Sequence, residues 1–297
     1  MNRKTLSNIY LVLVALIWGL AFVAQSEGMR YLGPYSFSML RSFVGSLTMF
    51  AFYILFRKYT RDIEFNFKEK KKINFKAGIV CGLVLFFAMN AQQIGIKYTT
   101  AGKAGFITTL YIVMIPVIRM FFGEKLNKKI IICLIFALTG MYLLSVKENF
   151  EINFGDIIVF ISAIFYSVHT LLLSKYTKKA DSIVLNMYQF LICGLISALM
   201  VYISKENINV ESIRLSLGAI LYVGVLSSGV AYMLQIIALK DIDPTIAALI
   251  NSLEAIFAAI GGWIILGQVL SNRELLGCMI MFIATIIAQI PERKKYD

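Results

Sequence analysis

Apolar residues in this chain gather in long unbroken runs separated by short charged or turn-rich breaks. They do not form the narrow stripes of a soluble helix. The runs cover 8–25, 36–56, 77–96, 102–122, 130–146, 155–174, 183–203, 216–238, 244–266 and 274–290. At a rise of about 1.5 Å per residue, runs of this length cross a hydrocarbon layer of about 30 Å as single helices. The pattern therefore predicts an all-α integral membrane protein with ten transmembrane helices. The first run has some features of a cleaved secretory signal, with Arg3 and Lys4 before an apolar stretch and small residues at Ala21 and Ala24. Nine further spans make a retained helix the better reading.

Composition agrees. Of 297 residues, 59% are hydrophobic and 15% charged, and the mean hydropathy is +0.77. Soluble domains lie nearer about 45–50% and about 25%. A net charge of +12 could suggest a nucleic-acid partner, but the basic residues lie in short loops between apolar runs. With the N-terminus placed inside, twenty Lys and Arg fall in inside loops and seven in outside loops, while Arg41 and Arg119 lie within spans. That bias predicts a multi-pass protein of the cell membrane with both termini cytoplasmic. It makes the Lys68–Lys72 run a topology anchor and removes nucleic acid from the expected partners.

The two halves resemble each other. Ala15-Leu-Ile-Trp18 aligns with Ala163-Ile-Phe-Tyr166, and Met39-Leu-Arg41 with Met187-Tyr-Gln189 at the same offset. Later, Gly123-Glu-Lys-Leu126 matches Gly267-Gln-Val-Leu270. Five helices per half is an odd number, so the second half crosses in the opposite sense. The expected organisation is an inverted repeat of five plus five, with residues 1–148 as the first half and 149–297 as the second. Inverted repeats of this kind mark secondary transporters, with the substrate site between the halves.

Three stretches then carry a family resemblance. They are Trp18-Gly19, Ala101-Gly-Lys-Ala-Gly-Phe-Ile-Thr-Thr-Leu-Tyr-Ile-Val-Met-Ile-Pro116 running to Gly123-Glu124, and Ser252-Leu-Glu254 running to Leu266-Gly267. With these the chain resembles the drug/metabolite transporter superfamily, EamA family, over nearly its whole length. The resemblance implies ten helices, an inverted repeat, cytoplasmic termini and a central cavity. It also implies transport of amino acids or other small metabolites, often outward. The chain departs from the family pattern at Ala255, where proline is usual, and at Gln268, where glutamate is usual.

The candidate site follows from the residues. Glu254 lies ten residues past Pro244, about 15 Å into its span. It is the one acidic residue placed at membrane depth, where a carboxylate is expensive and marks function by default. Tyr111 lies ten residues past Ala101 on the equivalent helix. Trp18 and Tyr166 reach mid-depth on another equivalent pair. A carboxylate among aromatic faces suits an amine or other cation. Asn251 shares a helix face with Glu254, Asn90 shares one with Gln93, and Gln235 lies deep in the eighth span. These amides are candidate substrate contacts, with interhelical hydrogen bonding as the alternative. Arg41 could attract a substrate carboxylate or snorkel outward, and a gating or structural role is favoured for it. Arg119 is expected to snorkel, and His169 to be hydrogen-bonded or solvated.

The expected function is a secondary transporter of small metabolites, amino acids or amines, working by alternating access, with export favoured. The alternative is uptake of a vitamin or a quaternary amine such as choline. An enzyme is not expected, because there is one histidine and no paired intramembrane carboxylates or metal-ligand cluster. Cys81, Cys133, Cys193 and Cys278 stand alone in apolar helices, which reads as no metal site. No nucleotide-binding motif occurs, so no cofactor is expected. The expected partners are a small-molecule substrate, the lipid bilayer and protons, which Glu254 could couple. With no dedicated dimerisation helix, the reading leans to a monomer.

Overall fold

The computed structural model describes residues 2–59, 67–99, 101–145, 152–266 and 271–290. The expected boundary between halves and the Gly267–Leu270 match lie outside these residues. The helices are α1 (Arg3–Gly28), α2 (Pro34–Tyr59), α3 (Phe67–Tyr98), α4 (Ala101–Thr109), α5 (Tyr111–Phe121), α6 (Lys128–Ser145) and α7 (Phe154–Tyr176). They continue with α8 (Ser182–Ser204), α9 (Val210–Leu221), a π-helical segment (Tyr222–Ala231), α10 (Tyr232–Ala238), α11 (Pro244–Asn251), α12 (Glu254–Leu266) and α13 (Asn272–Gln289). Among the described residues they make ten stretches long and apolar enough to cross a membrane. The fourth stretch joins α4 to α5. The eighth runs from α9 through the π segment to α10, and the ninth joins α11 to α12.

Local signals set the helix starts. Asn153 with Asp156, Asn209 with Ser212 and Ser271 with Glu274 form reciprocal capping boxes at α7, α9 and α13. Asp243 caps α11, with Pro244 in its first turn. Around the perimeter the helices present large apolar side chains such as Leu47, Leu199, Ile135 and Phe282. An apolar exterior around a polar interior is what lipid as solvent requires.

The packing obeys a twofold exchange of the halves. The third stretch packs on the sixth and seventh, and the eighth packs correspondingly on the first and second. The fourth packs on the sixth as the ninth packs on the first. The second lies against the seventh and the fifth against the tenth, each pair exchanging with itself. Ten crossings return both chain ends to one face, here called the terminal face.

The fourth and ninth stretches share a break. Near Leu110 the backbone ladder shortens to three-residue bonds, Leu110 N to Ile107 O at 3.1 Å and Val113 N to Leu110 O at 3.0 Å. At Ser252–Leu253 the same occurs, Leu253 N to Ile250 O and Ala255 N to Ser252 O, both at 3.1 Å. Each break carries a hydroxyl that bonds back to a preceding carbonyl. Thr109 Oγ1 donates to Gly105 O at 2.8 Å and Ser252 Oγ to Leu249 O at 2.7 Å. Such back-bonding competes with the helix ladder and bends it. Tyr111 and Glu254 are consequently the first residues of the second half-helices.

Close approach of α1 to α12 depends on Gly19. A Cβ there would lie 2.5 Å from the Glu254 carbonyl oxygen and 2.9 Å from Ala258 N. Ala255 and Ala259 of α12 pack toward Met141, Leu144 and Met281. The Gly19→Ala variant is expected to lower the melting temperature in detergent, by overpacking that costs about 1–3 kcal/mol. Gly218→Ala, where a Cβ meets nothing within 4 Å, should be neutral or slightly stabilising. Equal melting temperatures for Gly19→Ala and the parent would refute the close-packing account.

Candidate functional site

The helix breaks place polar side chains on a cavity inside the bundle. The cavity volume is about 50 Å³, room for a few water molecules or a small polar group. Residues of both halves line it. Trp18, Phe22 and Gln25 come from α1, Arg41 from α2, Gln92 from α3, Thr108 from α4 and Tyr111 from α5. Facing them are Tyr166, His169 and Thr170 from α7, Ser227 from the π segment, Tyr232 and Gln235 from α10, and Glu254 from α12.

Glu254 is 3% exposed. Thr109 Oγ1 lies 3.1 Å from its Oε1, and no ion pair joins it to any described residue. Trp18 stacks at a tilt on Tyr232, with ring centroids 4.9 Å apart. Tyr232 also meets Phe190 at 5.1 Å and His169 at 5.9 Å, both edge-on. Tyr166 Oη donates to Gln92 Oε1 at 3.2 Å, and Gln92 Nε2 donates to Thr108 Oγ1 at 3.0 Å. Two polar atoms of lining residues are buried with no partner among the described residues: Trp18 Nε1 and Gln235 Oε1. Buried polar atoms are nearly always satisfied, so unpaired donors and acceptors around one cavity suit a polar occupant.

Arg41 enters from α2 and is 3% exposed. Its NH1 donates to Gln25 Oε1 at 2.8 Å, its Nε to Ser228 Oγ at 3.3 Å and its NH2 to Ser227 Oγ at 3.4 Å. The two consecutive serines reach it because the segment carrying them is π-helical, a geometry common at functional sites. Asn186 holds that segment open. Its Nδ2 donates to the carbonyls of Ser228 at 3.2 Å and Gly229 at 2.9 Å. Asn186 Oδ1 therefore accepts from Gln189 Nε2 at 2.7 Å, and Gln189 Oε1 accepts from His169 Nε2 at 3.0 Å. This succession assigns the His169 proton to Nε2 and leaves Nδ1 as an acceptor.

Of the residues expected from sequence, Glu254, Tyr111, Trp18, Tyr166, Gln235 and Arg41 line the cavity. Asn90, Gln93 and Asn251 are not on its wall. Asn90 Nδ2 donates to Phe86 O at 2.9 Å and Ser197 Oγ at 3.1 Å, tying α3 to α8. Gln93 is wholly buried, and neither of its side-chain heteroatoms has a described partner. Asn251 ends α11, close to the Tyr111 side chain. The neighbouring position Gln92 reaches the cavity, because a step of one residue turns a helix face by more than a quarter turn.

Gln25, Thr108, Ser227 and Tyr232 had not been singled out. Gln25 and Tyr232 carried a signal, a polar or amphipathic group inside an apolar run. Arg119 carries its guanidinium to the terminal face, as expected of a snorkelling side chain, and finds acidic partners there. It pairs with Glu124 at 2.5 Å and with Asp243 at 2.7 Å, joining α5 to the start of α11 on the terminal face. On the opposite face Lys103 pairs with Asp156 at 2.5 Å, and Glu206 accepts from Tyr35 N at 3.1 Å and Ser36 N at 2.7 Å.

Comparison with known proteins follows this geometry. The chain matches the EamA-like transporter family twice, over residues 5–146 and 153–289. An uncharacterized transporter of Archaeoglobus fulgidus is 26% identical over 289 residues, 97% of this chain and 87% of that protein. The uncharacterized transporter YoaV of Bacillus subtilis is 22% identical, covering 91% and 92%. One protein crystal structure superposes with a TM-score of 0.76 at 15% identity, covering 95% of this chain and 96% of its own. At that identity the likeness concerns the fold alone.

The Asn186→Leu variant should leave two π-segment carbonyls and the Gln189 amide without partners. A loss of stability of about 1–3 kcal/mol is expected, read as a lower melting temperature in detergent. An unchanged melting temperature would show that the carbonyls find other donors.

Proposed function

The chain belongs to the EamA-like transporter family, and from that premise we propose a secondary transporter of small metabolites, amino acids or amines, working by alternating access with export favoured. The observation that carries this reading is the cavity built from both halves, with Glu254 on its wall at a helix break. Discontinuous helices at a shared central site are the usual construction of such carriers. Alternating access would break the Arg119–Asp243 tie on the terminal face and the Lys103–Asp156 tie on the other in turn. The basic-loop bias supports cytoplasmic termini in the cell membrane, which makes the terminal face cytoplasmic.

Energy is expected from a gradient. Glu254 is the proposed proton carrier, since its carboxyl can bind and release a proton without unmaking an ion pair with any described residue. The Trp18–Tyr232 stack supports the alternative of a quaternary amine such as choline, whose methyl groups bind aromatic faces.

The test is transport in liposomes by the parent and Glu254→Gln. Substrate counterflow in the variant should fall by about tenfold or more, the scale of one charged hydrogen bond, and proton-driven flux should be lost. If both fluxes match the parent, Glu254 has no central role.

A further inference from the structure

Arg41 is a buried cation for which a gate or scaffold role gives no sufficient reason. The acceptors given for its guanidinium, Gln25 Oε1, Ser227 Oγ and Ser228 Oγ, are all neutral. Among the described residues, ion pairs join Arg30 to Glu27, Lys103 to Asp156, Arg119 to Glu124 and Asp243, and Arg214 to Glu211. None includes Arg41. A buried charge lacking an opposite charge is among the most costly features a protein carries, and apolar replacement of such groups often stabilises. Its retention therefore calls for an anion that comes and goes. A guanidinium has five N–H donors, so three neutral contacts fix its orientation and leave donors for a planar anion. Carboxylate is the anion that this fork matches in bidentate fashion.

Glu254 presents the converse case on another wall. It is equally buried, is acidic where Arg41 is basic, and lies 3.1 Å from one neutral group, the Thr109 hydroxyl, whose proton goes to Gly105 O. The two charges line the same cavity without pairing with each other. Arg41 stands between α1 and the π segment, and Glu254 stands beside α4. The aromatic rings of Trp18, Tyr111, Tyr166 and Tyr232 share the walls with them.

Resting on the transport reading above, we propose that the cavity recognises a zwitterion, with Arg41 binding its carboxylate and Glu254 its ammonium. Arg41 is then a specificity-determining residue rather than a gate. A ligand with both charges neutralises both buried groups at once. A simple amine leaves the guanidinium unpaired, and a simple carboxylic acid leaves Glu254 unpaired. Selectivity arises from this penalty as much as from contact, because a partner left buried and uncompensated is what rejects an analogue. Gln25, Ser227 and Ser228 act through Arg41 as positioning residues.

The experiment measures equilibrium binding to the purified full-length chain in lipid nanodiscs. The probes are the proteinogenic L-amino acids and, for each one that binds, its decarboxylated amine and its deaminated acid. The phenylalanine set would be L-phenylalanine, phenethylamine and 3-phenylpropionate. The parent should bind the amino acid about tenfold or more tighter than either analogue. Arg41→Gln should weaken the amino acid and bind the amine at least as tightly as the parent does, so that the preference between the two is lost. Arg41→Lys should restore part of the preference. Should Arg41→Gln fail to fold, the ranking of the three ligand types on the parent decides alone.

An amine that binds the parent as tightly as its amino acid overturns the proposal and leaves amine transport standing. A preference that survives in Arg41→Gln overturns it as well. No binding by any of the three types, together with no counterflow, overturns both this proposal and the amino acid or amine reading beneath it.

Discussion

A polar group inside a membrane bundle has neither water nor lipid to satisfy it, and most features of this protein answer that constraint. Helices are the default because they satisfy their own backbone. Where the ladder is interrupted, at Leu110, at Ser252–Leu253 and through the π segment, the structure places substitutes close by. The Asn186 amide covers the carbonyls of Ser228 and Gly229. The hydroxyls of Thr109 and Ser252 bond back onto their own helices. These repairs allow irregular backbone, and with it Tyr111, Ser227 and Glu254, to face an internal cavity.

The second constraint is symmetry. The packing of the third stretch on the sixth and seventh recurs as the packing of the eighth on the first and second. Two halves related in this way share similar contacts but different chemistry. Arg41 and Gln189, aligned by the repeat, have diverged. Arg41 faces the cavity as a cation, whereas Gln189 relays hydrogen bonds from His169 to Asn186. Tyr111 and Glu254 likewise occupy matching starts of half-helices, one as a phenol and the other as a carboxylate. The backbone supplies equivalent positions in the two halves, and their side chains have diverged in charge.

Ties between the halves lie on both faces. Arg119 with Asp243 acts on one side, and Lys103 with Asp156 on the other. The Arg119–Asp243 pair is partly exposed and individually weak, whereas Asp156 in the other pair is buried. The buried charges in the middle are of another kind. They are held by neutral groups, so a ligand or proton meets no competing ion pair.

The ten spans, the inverted repeat and the burial of Glu254 were legible in the sequence, because each depends on hydropathy or charge summed along the chain. A span needs only length and apolarity, and a carboxylate at that depth is costly whatever surrounds it. The helix faces that meet were not legible. Gln92 rather than Gln93 reaches the cavity because α3 is gripped between α7 and α8, and one residue of rotation separates wall from core. Arg119 reads as a snorkelling side chain, and its pairing with Asp243, 124 positions away, is supplied only by the fold. Ser227 and Ser228 look like two small polar residues in an apolar run, and only π-helical winding turns both toward Arg41. Sequence by itself determined the membrane, the crossings and the presence of a buried charge. Tertiary structure alone decided which polar groups meet, because that depends on helix rotation and on contacts between distant segments, which one-dimensional periodicity does not encode.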